Sequence, residues 1–453
     1  MKYKLLNSSK YAIFLFLLLI IIFSRSFIGV YIFGFRIGEL IVGFALLGTI
    51  VVLLFYRKEL SEVVSKNLLN LHSLLILNFV FLVVINGASF KDLYIFKSSS
   101  YLWNIFYIYF GFYLFKKFKL TKQISNFLNY LLILIFYLQA VYFHQLSLLY
   151  GSYASIYTGD EALTSSNNLI LNFFVKYSDK FEPYKGTDLL IFFILILYIS
   201  NRINIKSINR FSYFIITSSL FLPLFLVKSR TAAFCAFLFI VYEIYNQKNH
   251  FLSSFSYTAF IAIICGLVFY ISSSFLVYEP SQYEADDELS AYGNVINELF
   301  LGRFVPEGGS FLGINNGRIY SGDGNLNWRL QIWQDVYFDL RDKGKLFLGY
   351  GYEEVIPAMD DDLRKGLDGR NENVHNFLIN ILARGGIFQV VLYLLFILEL
   401  TKLTNKDSLY KIIPVLIPLL LSSLFDSSME NVQFPLFLYL FLGYVINEKK
   451  IKI

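Results

Sequence analysis

Charge is scarce in this chain. Asp, Glu, Lys and Arg make up 16% of its 453 residues, where soluble domains carry roughly 25%. So few charges cannot solvate a fold of this size. Soluble enzymes, nucleic-acid-binding modules and secreted disulfide scaffolds are excluded on that ground. Cysteine is nearly absent: Cys235 and Cys265 both fall inside apolar runs and read as small packed residues. No disulfide framework and no CxxC metal pattern exists. There are four histidines, His72, His144, His250 and His375, and none has the cysteine or histidine partner that zinc requires. A cleavable signal pattern is lacking too. The first apolar run follows Lys2, Lys4 and Lys10 without a small-residue cleavage site, so it reads as a signal anchor. No internal repeat is found.

What remains is apolar and comes in blocks. Hydrophobic residues reach 56%, and runs such as Tyr11–Phe23, Leu40–Tyr56 and Ile191–Ile199 carry no charge. A membrane span needs about 20 mostly apolar residues. Continuous rather than alternating blocks favour helices over a barrel. The expectation is an all-α polytopic membrane protein with about twelve transmembrane helices, near 11–24, 37–56, 69–86, 101–115, 126–145, 187–200, 211–227, 231–246, 254–274, 376–400, 410–425 and 433–447. These form a single integral membrane domain over 1–453.

Lysine and arginine set the orientation. With the N-terminus cytoplasmic, the inside segments hold twenty Lys/Arg and the short outside segments nine. Twelve spans with both termini cytoplasmic is the self-consistent topology. Two outside segments are too polar to span: a smaller loop over 146–186 and a large loop over 275–375. The large loop has nine Lys/Arg against eighteen acids. Its length predicts that it folds partly and covers the bundle. Trp328, Ile332, Val336 and Leu340 recur every four residues, which predicts an amphipathic helix near 328–341, lying at the interface or packed on the bundle. The Gly- and Asn-rich stretch Glu307–Asn327 reads as irregular loop.

Polar residues in the spans are few, which weakens an ion-coupled transport reading. Four basic groups stand out. Arg230 follows a tight connection between two spans. It is either an interfacial anchor or a cation that holds a phosphate at the outer mouth, a task suited to a guanidinium fork. Arg329, at the start of the loop helix, is either a surface ion-pair partner or a second phosphate clamp. His375 stands where the large loop re-enters the membrane, as a capping residue or as a general base near neutral pH. His72 and His144 read as packed core residues. Arg384, about 13 Å further along if the helix is continuous, is either in a structural ion pair or in contact with substrate.

Three stretches in this order resemble the O-antigen polymerase and O-antigen ligase superfamily of bacterial inner-membrane proteins. They are Ser229-Arg230-Thr231-Ala232, then Arg329–Trp333 followed by Leu348-Gly-Tyr-Gly351, and His375-Asn376 with Gly386 beyond. The resemblance covers roughly 210–400. It implies a lipid-dependent glycosyltransferase at the periplasmic face, with a glycan linked to undecaprenyl pyrophosphate as substrate. Arg230 and Arg329 would hold the donor pyrophosphate and His375 would deprotonate the acceptor. Trp328, Asn376 and Arg384 are the expected substrate contacts. No cofactor, metal or nucleic acid is implied; the bilayer and a chain-length regulator are the expected partners. Ligases ask for a small residue three places after Gly386, and an acid near 384, where this chain has Gln389 and Arg384. The departures favour a Wzy-type polysaccharide polymerase over the ligase. A polysaccharide flippase is the rival from another class, but it calls for short outer loops and a polar pathway.

Overall fold

The computed structural model describes residues 2–87, 93–117, 122–150, 169–178, 180, 182–203, 208–246, 255–276, 312–315, 317–321, 324–360, 364, 372–402 and 406–451. Parts of both predicted loops, 151–168 and 277–311, lie outside these residues, as does His250. The protein is mostly helical. Its helices are α1 (Lys2–Ile28), α2 (Ile37–Phe55), α3 (Arg57–Val63), α4 (Lys66–Ile85), α5 (Leu93–Lys97), α6 (Asn104–Lys117), α7 (Lys122–Tyr150), α8 (Leu169–Tyr177), α9 (Gly186–Ile203), α10 (Ile208–Lys228), α11 (Arg230–Asn246), α12 (Phe255–Phe275), α13 (Gly324–Asp342), α14 (Phe377–Lys402), α15 (Lys406–Ser423) and α16 (Gln433–Ile451).

Each of the twelve apolar segments falls on a helix. Among the described residues, six helices carry a stretch long and apolar enough to cross a membrane: Tyr11–Ile28, Ile37–Phe55, Lys66–Ile85, Gln123–Tyr142, Phe211–Lys228 and Phe377–Lys402. Four shorter apolar stretches accompany them, Gly186–Ser200, Ala259–Ser274, Ile412–Ser423 and Gln433–Asn447.

The chain divides into two compact units. The first comprises Met1–Leu40, Tyr113–Val295 and Lys411–Ser422, the second Ile41–Phe112, Ile296–Tyr410 and Ser423–Ile453. In the first, a small hairpin pairs β1 (Tyr31–Ile32) with β2 (Phe35–Arg36) between α1 and α2. Its core is aromatic: Phe193 contacts Phe221, Phe225 and Phe239 at centroid distances of 5.3–6.2 Å. Helix α1 is kinked at Ser24 (φ 26°, ψ −109°).

In the second unit, α13 is the helix of the large loop. Ile332, Val336 and Leu340 are fully buried, packed with Ile356, Met359, Val374 and Ala383. Burying side chains of this size is worth ~1.5–3 kcal/mol each. Just before α13, the stretch read as irregular loop contains a β-hairpin instead, β3 (Leu312–Asn315) with β4 (Arg318–Ser321). Counting Gly and Asn hid the signal, because Asn-Gly between β-forming residues is itself a hairpin turn, and Gly317 has the required positive φ of 73°. The amide of Gln334 locks the hairpin to α13, accepting from the Ile319 N–H at 2.7 Å and donating to its carbonyl at 2.9 Å.

Candidate active site

The second unit brings two of the three motif stretches together. The His375 ring lies 5.2 Å from the Trp328 ring, centroid to centroid. Trp333 Nε1 donates to the carbonyl of Val374 at 2.7 Å. One turn and a half of α13 therefore grips the residues that lead into α14. Arg329 follows Trp328 in the same turn of α13. His375 has φ +52°, a left-handed conformation that costs a residue with a Cβ about 1–3 kcal/mol. The tryptophan contacts on either side hold it there. Asn376 is buried and caps α14: its Oδ1 accepts from the N–H groups of Leu378 at 2.9 Å and Ile379 at 3.1 Å.

Helix α14 is broken ten residues on. Gly386 has φ 67° and ψ −174°, a region open essentially to glycine. A break in an apolar helix frees backbone groups that must find partners. Residues 346–351 supply them. Tyr350 N–H donates to the Ala383 carbonyl at 2.7 Å and Gly351 N–H to that of Arg384 at 2.9 Å, while Ile387 N–H donates back to Leu346 at 2.9 Å. The approach is close enough that a Cβ on Gly349 would lie 2.5 Å from the Arg384 carbonyl carbon. The Leu348–Gly351 and Gly386 stretches are thus two sides of one backbone contact.

Arg384 is 2% exposed. Its guanidinium donates to the carbonyls of Gly351, at 3.1 Å, and Glu354, and it faces the Tyr94 ring at 4.7 Å. These contacts are carbonyls and a ring, where the sequence offered an ion pair or a substrate contact. Tyr94 in turn is hydrogen-bonded to Glu372; burial first, then the Glu372 carboxylate, push its hydroxyl up to about 12. It stays protonated and donates at neutral pH. Arg384, Tyr94 and Glu372 form a line of support that ends three residues before His375.

Gln389 sits in a buried network that the sequence did not signal. Its amide donates to the hydroxyls of Tyr101 at 2.6 Å and Tyr352 at 3.0 Å, and accepts from Asn78 at 3.3 Å. Four residues far apart in the chain meet there.

Arg230 belongs to the first unit. It opens α11 and is exposed. Ser229 caps this helix, its hydroxyl accepting from the Ala232 N–H at 3.3 Å. Two residues earlier, Lys228 is paired with Glu182, which also accepts from Arg25 at 2.7 Å. Sequence reading counted Arg25 and Lys228 only as topogenic charges and passed over Glu182. An acid among Lys176, Lys180 and Lys185 was the available signal. No metal-holding group of three or more His, Cys, Asp or Glu occurs among the described residues.

Helices long and apolar enough to cross a bilayer define a polytopic membrane protein. Residues 213–394 match the family model described as O-antigen ligase, which supports the resemblance read from the sequence. The match runs from α10 into α14 and contains Arg230, Arg329 and His375. No curated protein matches the chain.

Proposed function

We propose that the protein is a lipid-linked-donor glycosyltransferase. It polymerises oligosaccharide repeat units carried on undecaprenyl pyrophosphate at the periplasmic face of the bacterial inner membrane. The observation that carries this is the family match over 213–394, joined to the grip of α13 on His375.

The acceptor hydroxyl of one repeat unit attacks the anomeric carbon of the donor glycan. A C–O bond to the acceptor forms and the anomeric bond to phosphate breaks, its electron pair passing to the leaving pyrophosphate. His375 takes the acceptor proton. Arg230 and Arg329 hold the pyrophosphate and stabilise the charge that grows on it, each charge-assisted hydrogen bond being worth about 1.5–3 kcal/mol. A positioned histidine base adds about 10²–10⁴-fold. Arg384 has a positioning role here, through Tyr94 and Glu372. The Trp328 ring, already against His375, offers an apolar face to a sugar.

The description of the matching family favours a second reading, ligation of finished glycan from the same carrier to lipid A-core. A deletion strain separates the two. A core bearing a single repeat unit marks a lost polymerase, the result expected here. Bare core with carrier-linked polymer marks a lost ligase and would overturn the polymerase reading.

A further inference from the structure

The first unit holds a charged cluster that the proposed chemistry has not used. Helix α1 is kinked at fully buried Ser24, and the chain before α9 fits into the kink. Arg25 N–H donates to the Pro183 carbonyl at 3.0 Å, and the Tyr184 hydroxyl donates to the carbonyl of Ile22. The kink thereby turns Arg25 onto Glu182 at 2.7 Å. From the opposite side, Lys228 at the end of α10 pairs with the second oxygen of Glu182, its side chain 8% exposed. Ser229 packs on Gly186, which fixes the α10–α11 connection, and with it Arg230, against the start of α9.

Two cations thus share the Glu182 carboxylate, and one of them, Lys228, stands two residues before Arg230. Burial opposes ionisation of Glu182, but Lys228 and then Arg25 outweigh it and hold the carboxyl below its ordinary value of 4.5. Lys185 also acts on Glu182. Asp188, a second acid among the described residues here, accepts from the Lys185 backbone N–H at 3.4 Å. Lys228 lies 5.6 Å from the centre of the Tyr142 ring. One helical turn before Tyr142, on the same face of α7, Gln139 is fully buried, and neither amide atom has a hydrogen-bond partner among the described residues. An unsatisfied buried amide is costly.

We infer that Lys228 and Arg25 extend the Arg230 site as a binding site for a prenyl-linked diphosphate, with the Glu182 carboxylate occupying the anion's seat until the donor arrives. Glu182 matches a phosphate in charge and in its two-oxygen presentation. It keeps the buried Lys228 ammonium and the half-buried Arg25 guanidinium compensated and yields them to a ligand with more oxygens. The inference rests on the lipid-diphosphate reading of the protein.

The test is titration of farnesyl diphosphate into the full-length protein in phosphatidylcholine nanodiscs, with thermal stability recorded for every variant. Lys228→Met should weaken binding by about tenfold, and Lys228→Arg should keep it. Glu182→Gln should tighten it, because a competing carboxylate has been removed. A structural tie gives a different pattern: Glu182→Gln and Lys228→Met both lower stability while the bound fraction of folded protein is unchanged, and that overturns the inference. If Glu182→Gln does not fold, the two Lys228 variants decide. Competition by phosphatidylglycerol as strong as by farnesyl diphosphate would assign the cluster to headgroups and likewise overturn it. Absence of binding to the wild type would remove the donor reading itself, and this inference with it. Binding that ignores all three variants removes the inference alone.

Discussion

His375 sits in a conformation that few non-glycine residues adopt, pressed on Trp328 and preceded by a carbonyl that Trp333 holds. Each contact makes a separate prediction. Trp333→Phe keeps the ring and loses one hydrogen bond, so stability should fall by about 0.5–1.5 kcal/mol; turnover should fall because the His375 segment loosens. His375→Ala should reduce kcat by about 10²–10⁴-fold with membrane abundance intact. An unchanged turnover number, measured on lipid-linked repeat units, would remove the base role. Arg329→Lys should recover little of what Arg329→Ala loses, because a point charge does not replace a bidentate fork. At this scale the sequence was informative about which residues to name and less so about their partners. Arg384 is an example. The sequence offered it an ion pair or a substrate, yet its ligands are the carbonyls of Gly351 and Glu354, thirty or more residues away, and no local pattern reports such a pairing.

Among the described residues, one apolar helix in each unit has an interior break that another segment fills: α1 at Ser24, met by residues 182–184, and α14 at Gly386, met by residues 346–351. Gly386→Ala should be poorly tolerated. Its φ of 67° becomes strained, and its Cβ would lie 2.1 Å from the Phe347 carbonyl oxygen. Loss of folded protein in detergent, read by size-exclusion fluorescence, is the expected outcome. The Glu182 tie predicts a pH dependence with a definite sign. A carboxyl held below 4.5 contributes stability that is present above that value and is lost as pH falls through its lowered value. Thermal stability should therefore hold from neutral pH through the ordinary carboxylate range and drop only below it. In Glu182→Gln that acid limb should be absent. Apolar periodicity disclosed the elements themselves, since blocks and the Trp328–Leu340 stripe are local signals. It did not disclose the breaks, because Ser24 looks like any small residue in a span, or the 312–321 hairpin, whose turn was masked by its Gly- and Asn-rich surroundings.

The whole molecule is a mostly helical membrane protein whose residues 213–394 match the O-antigen ligase family model. Scarcity of charge made that architecture legible from composition, and the order of Arg230, Arg329 and His375 made the superfamily legible. The proposed chemistry asks the two arginines and the histidine to act on one departing diphosphate. Incubating the purified protein in nanodiscs with undecaprenyl-pyrophosphate-linked repeat units tests this most directly. The account predicts a ladder of longer lipid-linked glycans with undecaprenyl pyrophosphate released at each step, abolished alike by Arg230→Ala and Arg329→Ala. Normal ladders from both alanine variants, or no chain growth by folded wild-type protein, would contradict it.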